Sequence, residues 1–237
     1  MGMLRAVAVM AVLACAGNAC AEEEDPELAA ALLKCPAAAV FAKAEEARKA
    51  EDARQWAGIT PSAPQLREQL LEMARVDQDA RDGDWSQEMI TKMLAVDAAN
   101  LPRIKQIVAD HHGLPGVREV GADGMAAAWL LVQHADTDAA FQQQVLEGLA
   151  PKVDSGEVSA REYALLVDRV LVNTGKPQRY GSQLAAISSR WQPKPMEAPE
   201  QVDARRAALG LMPLADYLCV AVEMFPAPAT DVDGKLL

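Results

Sequence analysis

Asp168 and Arg169 stand side by side in the run YALLVDRVLVN, Tyr163 to Asn173. At helical spacing Asp168 neighbours Ala164, Leu165, Leu171 and Val172, all apolar. Charges in such surroundings are buried, and each needs a partner, because an unpaired buried charge costs several kcal/mol. Two readings follow: a catalytic carboxylate beside an anion-binding arginine, or a polar network that fixes the register of the helix. His134 is the other candidate. It closes the apolar run MAAAWLLVQH, with Ala127, Leu130 and Leu131 as helical neighbours. A helix C-terminus favours the imidazolium, so general acid/base work suits this residue, and so does the role of a satisfied core histidine. Of Gln142, Gln143 and Gln144, no more than two can turn inward on one helix. The loop KPQRYGSQ follows the Asp168 helix directly and offers Gln178, Tyr180 and Gln183 as a polar edge for a substrate.

Other chemistries find no foothold. His111 and His112 are adjacent and point to different sides of a helix, and HExxH, paired CxxC and carboxylate-rich loops are missing. Neither a metal nor another cofactor is expected. GxSxG, P-loop and dinucleotide patterns are missing too, and Ser182 has no nucleophile-elbow context.

The elements that must position these residues read as helices. Pro26 to Trp56 is one long Ala-rich stretch with Leu28, Leu32, Cys35 and Ala39 at helical spacing, and Cys35-Pro36 kinks or splits it. GITPSAP is a connector. A helix from Pro64 to Asp82 turns Leu66, Leu70, Met73 and Val76 or Asp77 inward, and Gly83-Asp84 ends it. The next run starts near Ser86 and ends at DHHG, with Pro102 expected to break it near Asn100-Leu101. Gly124 to His134 is apolar enough to be buried. Asp136, Thr137 or Asp138 caps a helix to about Val153, and Ser159 caps Ala160 to Asn173, which stops at Gly175. Beyond this the helical period is lost: Leu184, Ala186 and Ile187 suit a short strand, Trp191 to Pro199 is extended, and short helices follow at Glu200–Leu209 and Pro213–Met224. The expected fold is therefore all-α, with one short β-hairpin near 181–195.

Bulk properties agree. The 237 residues are 51% hydrophobic but only 4% aromatic, so the apolar mass is Ala, Leu, Val and Met. A net charge of −11, with no basic stripe, opposes binding to nucleic acid. The chain is expected to divide into a signal peptide (1–21), an Ala-rich helical arm (22–60), a main helical domain (61–225) and a disordered tail (226–237). MGMLRAVAVMAVLACAGNACA has the charge, apolar run and small-residue triplet of an export leader cut after Ala21, and the apolar run is short for a membrane span. Val12-Leu13-Ala14-Cys15 offers the rival of a lipoprotein anchored through Cys15. Cleavage after Ala21 leaves two cysteines, Cys35 and Cys219, which suit a disulfide in an oxidising compartment; two buried thiols are the alternative. A periplasmic or secreted product, with no transmembrane segment after cleavage, is the expectation.

The segments ARVDQDARDG, VDAANLPRIKQIV, HHGLPGVREVG, AAWLLVQHADTDAAFQQQVL, YALLVDRVLVNTGKPQRYGSQ and VDARRAALGLMPLADY resemble, in order, a bacterial domain-of-unknown-function family, six-six-two-four of that series. The resemblance covers about Leu66 to Tyr217. It implies that Arg81, Asp97, Asn100, His134, Asp136, Gln142, Asp168, Arg169, Gln178, Tyr180, Gln183 and Arg205 or Arg206 belong together as the family's polar positions. Two departures stand out: Ser182 replaces the usual Thr, and Gly113-Leu114-Pro115 lacks the family's Trp. The family brings no reaction with it. The expected activity is that of an exported hydrolase acting on a polar envelope component, with His134 as acid/base, Asp168 orienting it or sharing its proton, and Arg169 holding an anion. Arg81, Asp97, Asn100, Gln142, Gln178, Tyr180 and Gln183 would contact the substrate. The alternative is a non-catalytic periplasmic binding or inhibitor protein.

Overall fold

The computed structural model describes residues 26–82, 86–187 and 190–225. The expected leader, the tail expected to be disordered and the expected helix stop at Gly83-Asp84 lie outside the described residues. Two compact units divide the rest: residues 26–50 group with 160–225, and residues 51–159 form the other. The fold is mostly α, with ten α-helices and one two-stranded antiparallel sheet among the described residues.

In the unit of residues 51–159, α3 (Pro64–Asp79), α4 (Gln87–Asp110) and α5 (Val117–Gln133) pack together, followed by α6 (Ala139–Glu147) and α7 (Ala150–Asp154). Helix α3 buries Leu70, Met73, Ala74 and Asp77, a stripe at i, i+3, i+4 and i+7, so of the two inward candidates Asp77 is the one buried. Helix α4 adds Ile104, Ile107 and Val108. Helix α5 is buried almost all round, from Met125 through Gln133 apart from Ala126. It is interrupted at Gly121, whose φ of 75° is the left-handed conformation that glycine adopts without penalty. Side chains at either end lock the bend: Arg67 pairs with Asp123, and Glu119 accepts the Gly116 N–H at 2.8 Å.

Two sequence expectations change here. Helix α4 runs unbroken through Pro102. Pro102 and Ala98, whose carbonyl loses its donor, both lie on the exposed face, so the helix forfeits one bond on its wet side and keeps its packed side. The helix expected from Asp138 to Val153 is two, because Gly148 closes α6 and Pro151 sits in the first turn of α7. Of the offered caps, Asp138 accepts the Phe141 N–H at 3.0 Å.

In the other unit, Pro36 splits the Ala-rich stretch into α1 (Pro26–Lys34) and α2 (Pro36–Trp56). Helix α8 is Ala160–Asn173, and the hairpin pairs β1 (Leu184–Ile187) with β2 (Arg190–Pro193), Leu184 opposite Pro193. A 3-10 turn leads into α9 (Val202–Ala208), and α10 (Leu214–Met224) packs on α1 and β2. Cys35 and Cys219 form the expected disulfide, Cα atoms 6.0 Å apart, inside a small core of Ala31, Ala38 and Val220. No helix among the described residues is long and apolar enough to cross a membrane.

Candidate functional site

The candidate residues fall into two sets, one in each unit. In the unit of residues 51–159 the set is a buried ionic chain. The imidazole Nδ1 of His134, at the C-terminal end of α5, lies 2.8 Å from Asp77 Oδ2 on α3. Asp77 Oδ1 accepts from Arg81 Nη1 at 2.8 Å, one helical turn on, and Gln78 Nε2 donates to Asp77 Oδ2 at 2.8 Å. Arg81 Nη2 then reaches Asp97 Oδ1 on α4 at 2.5 Å. Asp77 is 1% exposed, His134 4% and Arg81 6%, so the chain joins three helices in a medium where charges interact strongly.

The two carboxylates on Arg81 are driven apart. Burial pushes Asp77 up, but the hydrogen bond and charge of His134, followed by Arg81 and Gln78, outweigh it and hold the carboxyl below its ordinary range. For Asp97 burial wins: its carboxyl is pushed above the ordinary range, the neighbouring Asp77 adding to the effect against Arg81 and His134. One carboxylate that stays ionised beside one that holds its proton longer is the arrangement acid/base sites use. Asn100, three residues past Asp97 on α4, is 6% exposed, and its Nδ2 has no hydrogen-bond partner among the described residues. Gln142, fully buried, donates to the Val132 carbonyl at 3.0 Å and the Gln133 carbonyl at 3.1 Å, closing the end of α5.

The second set, in the unit of residues 26–50 and 160–225, is a loop wrapped on a carboxylate. Asp168 Oδ1 accepts the N–H groups of Arg179 at 2.6 Å and Tyr180 at 2.9 Å, and Oδ2 accepts that of Ser182 at 2.8 Å. Gln178 ties the same loop to the hairpin. Its Nε2 donates to the carbonyls of Gln183 at 2.9 Å and Lys194 at 2.8 Å, while Oε1 accepts the Gln183 N–H at 2.8 Å. Arg205 donates to the carbonyls of Arg179 and Glu197, and Arg206 to those of Tyr180 and Met212. Gly181 takes φ 74°, a left-handed conformation that other residues rarely adopt, and a Cβ there would have to displace the ends of Leu214 and Met196. Arg169 is 2% exposed and Gln183 3%. Tyr180 is 9% exposed, and burial pushes its phenol up.

The carboxylate that meets His134 is thus Asp77, which sequence reading placed only on the inward face of its helix. The signal that could have found it was the charge at i+7 on an apolar stripe with Arg81 at i+4 from it. Asp168 gives its oxygens to backbone N–H groups, because the loop after α8 folds back over it. Lys194, 6% exposed, is a buried charge the sequence did not flag. Among the described residues, no three His, Cys, Asp or Glu side chains gather as a metal ion would need.

No curated protein and no solved structure matches the chain. The model of one family, described as a family of unknown function (DUF6624), matches residues 64–226 and so spans both sets of polar residues. On that match, covering well over half of the sequence, the chain belongs to the DUF6624 family.

Proposed function

We propose that this protein is a hydrolase that works by general acid/base catalysis, with His134 as the group that moves the proton. The observation that carries the reading is the 2.8 Å contact between His134 Nδ1 and an Asp77 carboxyl held below its ordinary range by His134 first and by Arg81 after it. In the neutral tautomer that donates from Nδ1, the lone pair stands on Nε2. From there the ring takes a proton from an attacking water, Asp77 steadies the imidazolium, and the same proton then passes to the leaving group. Asp97 and the Asn100 Nδ2, which has no partner among the described residues, are polar groups on α4 suited to holding a substrate. Asp168 and Gln178 act in this reading by fixing the 178–183 loop.

The substrate is a polar component of the cell envelope, since we place the protein outside the cytoplasm as a periplasmic or secreted product. The leader sequence motivates that placement, and the Cys35–Cys219 bond supports it because such bonds persist in oxidising compartments. The test is a turnover screen on wall fragments, phosphoesters and peptides, run with wild type and His134→Gln. Turnover that His134→Gln abolishes is expected; no turnover, or turnover that survives the substitution, contradicts the reading.

One observation favours a second reading, a non-catalytic binding protein. Leu33 is 86% and Val40 71% exposed on the α1–α2 arm, apolar side chains that a partner would cover. Sedimentation velocity of wild type against a Leu33→Ser, Val40→Ser variant separates self-association through this face from a face that carries no interaction.

A further inference from the structure

The acid/base reading leaves unused a cleft in the unit of residues 26–50 and 160–225. Its free volume is about 40 Å³, between α2, the start of α8, and the segment from α9 into α10. Arg48, Arg161 and Arg206 line it together with Tyr180, Tyr217 and one carboxylate, Glu45. Three guanidinium groups against one carboxylate is a local excess of positive charge, in a chain whose net charge is −11.

Arg206 forms the buried part of this lining, at 4% exposure. Its Nε donates to the Met212 carbonyl and its Nη1 to the Tyr180 carbonyl, each at 2.6 Å, and its guanidinium carbon lies 5.0 Å from the centre of the Tyr217 ring. All of these partners are neutral. The acids that act on it through space are otherwise engaged, Asp168 with the loop N–H groups and Asp203 with the Leu214 N–H at 2.7 Å. A buried cation without a carboxylate in contact gains from any anion that reaches it. Arg161 is held by Glu45 at only 3.4 Å. Arg48 leans over Gly210, its Nη1 3.6 Å from where a Cβ would stand. The three arginines therefore come from three separate segments, and the guanidinium fork matches the oxygens of a phosphate group.

We propose that this cleft binds a phosphate group, free or esterified, with Arg206 at its floor and Arg48 and Arg161 on the outer oxygens. The test is calorimetric titration of inorganic phosphate into the whole protein, with glycerol 3-phosphate and phosphatidic acid vesicles as further arms. Those arms separate a soluble ester from a lipid headgroup. Saturable binding is expected, weakened about tenfold by Arg161→Gln and about tenfold by Arg48→Gln, as for the loss of one charge-assisted hydrogen bond. Glu45→Gln is expected to tighten binding, because it removes the carboxylate that competes for Arg161. Arg48 and Arg161 are not buried, so both variants should keep the wild-type melting curve by circular dichroism, which checks the fold independently. No saturable binding by wild type overturns the proposal. Binding that neither arginine variant weakens and Glu45→Gln does not tighten overturns it as well.

Discussion

Asp77 and Asp168 are both carboxylates on helices, 1% and 0% exposed, and both accept several hydrogen bonds. The donors differ. Asp168 is met by the backbone N–H groups of Arg179, Tyr180 and Ser182, which cannot change charge and which fix the path of a loop. Asp77 is met by His134 and Arg81, and through Arg81 it is coupled to Asp97. Removing a proton at one end of that chain alters every group along it. A buried carboxylate is therefore not one kind of signal: backbone donors make it an anchor, and titratable donors couple its charge to theirs. The unit that holds Asp168 is further stapled by the Cys35–Cys219 bond and by arginines on carbonyls, while the unit that holds Asp77 relies on packed apolar helices around its ionic chain.

The largest effect that would break this contrast is reduction of the disulfide. It closes a loop of 184 residues, and its loss should cost about 5 kcal/mol on the chain-entropy account. Hydrogen exchange with and without reductant should show lost protection in residues 26–50 and 160–225; equal loss in residues 51–159 would erase the distinction. Next is Asp168→Asn, which replaces an acceptor oxygen by a donor facing a backbone N–H and should cost roughly 3 kcal/mol or more. Denaturant unfolding measures it.

The pH dependence sharpens the other side. The folded pKa of Asp77 is depressed, so its contribution to stability is present above the unfolded-state pKa and lost as pH falls through the folded value. Asp97 runs the other way: its folded pKa is raised, so its contribution is present below the unfolded-state pKa and lost as pH rises through the folded value. Stability measured across the acid range should accordingly flatten at its low end in Asp77→Asn. Asp97→Asn should remove the loss on the way up towards neutral pH. Smallest is Pro102→Ala, which restores one α4 hydrogen bond on an exposed face and should raise the unfolding free energy by about 1 kcal/mol, read from denaturant unfolding.

Much of the fold was readable because local rules agreed with it. The apolar helix ending at His134, the helix from Ala160 to Asn173 and the hairpin after it all follow from periodicity and breakers. Pro102 shows where such rules stop, since a proline is tolerated mid-helix when its cost falls on the solvent side. The site was less readable. That Asp168 and His134 are buried follows from their neighbours, but which partners they take is set by tertiary contact. Asp77 and His134 are 57 residues apart, and nothing local pairs them. Likewise Arg48, Arg161 and Arg206 come to one cleft from three separate segments, and nothing local brings them together.

The proposal puts His134 in a proton path and Asp168 in the scaffold, and side-by-side denaturant unfolding of His134→Gln and Asp168→Asn tests it most directly. A glutamine amide can still donate to Asp77, so His134→Gln should stay within about 1 kcal/mol of wild type, while Asp168→Asn loses roughly 3 kcal/mol or more. A loss in His134→Gln as large as that in Asp168→Asn would make the ionic chain a structural clasp and contradict the account.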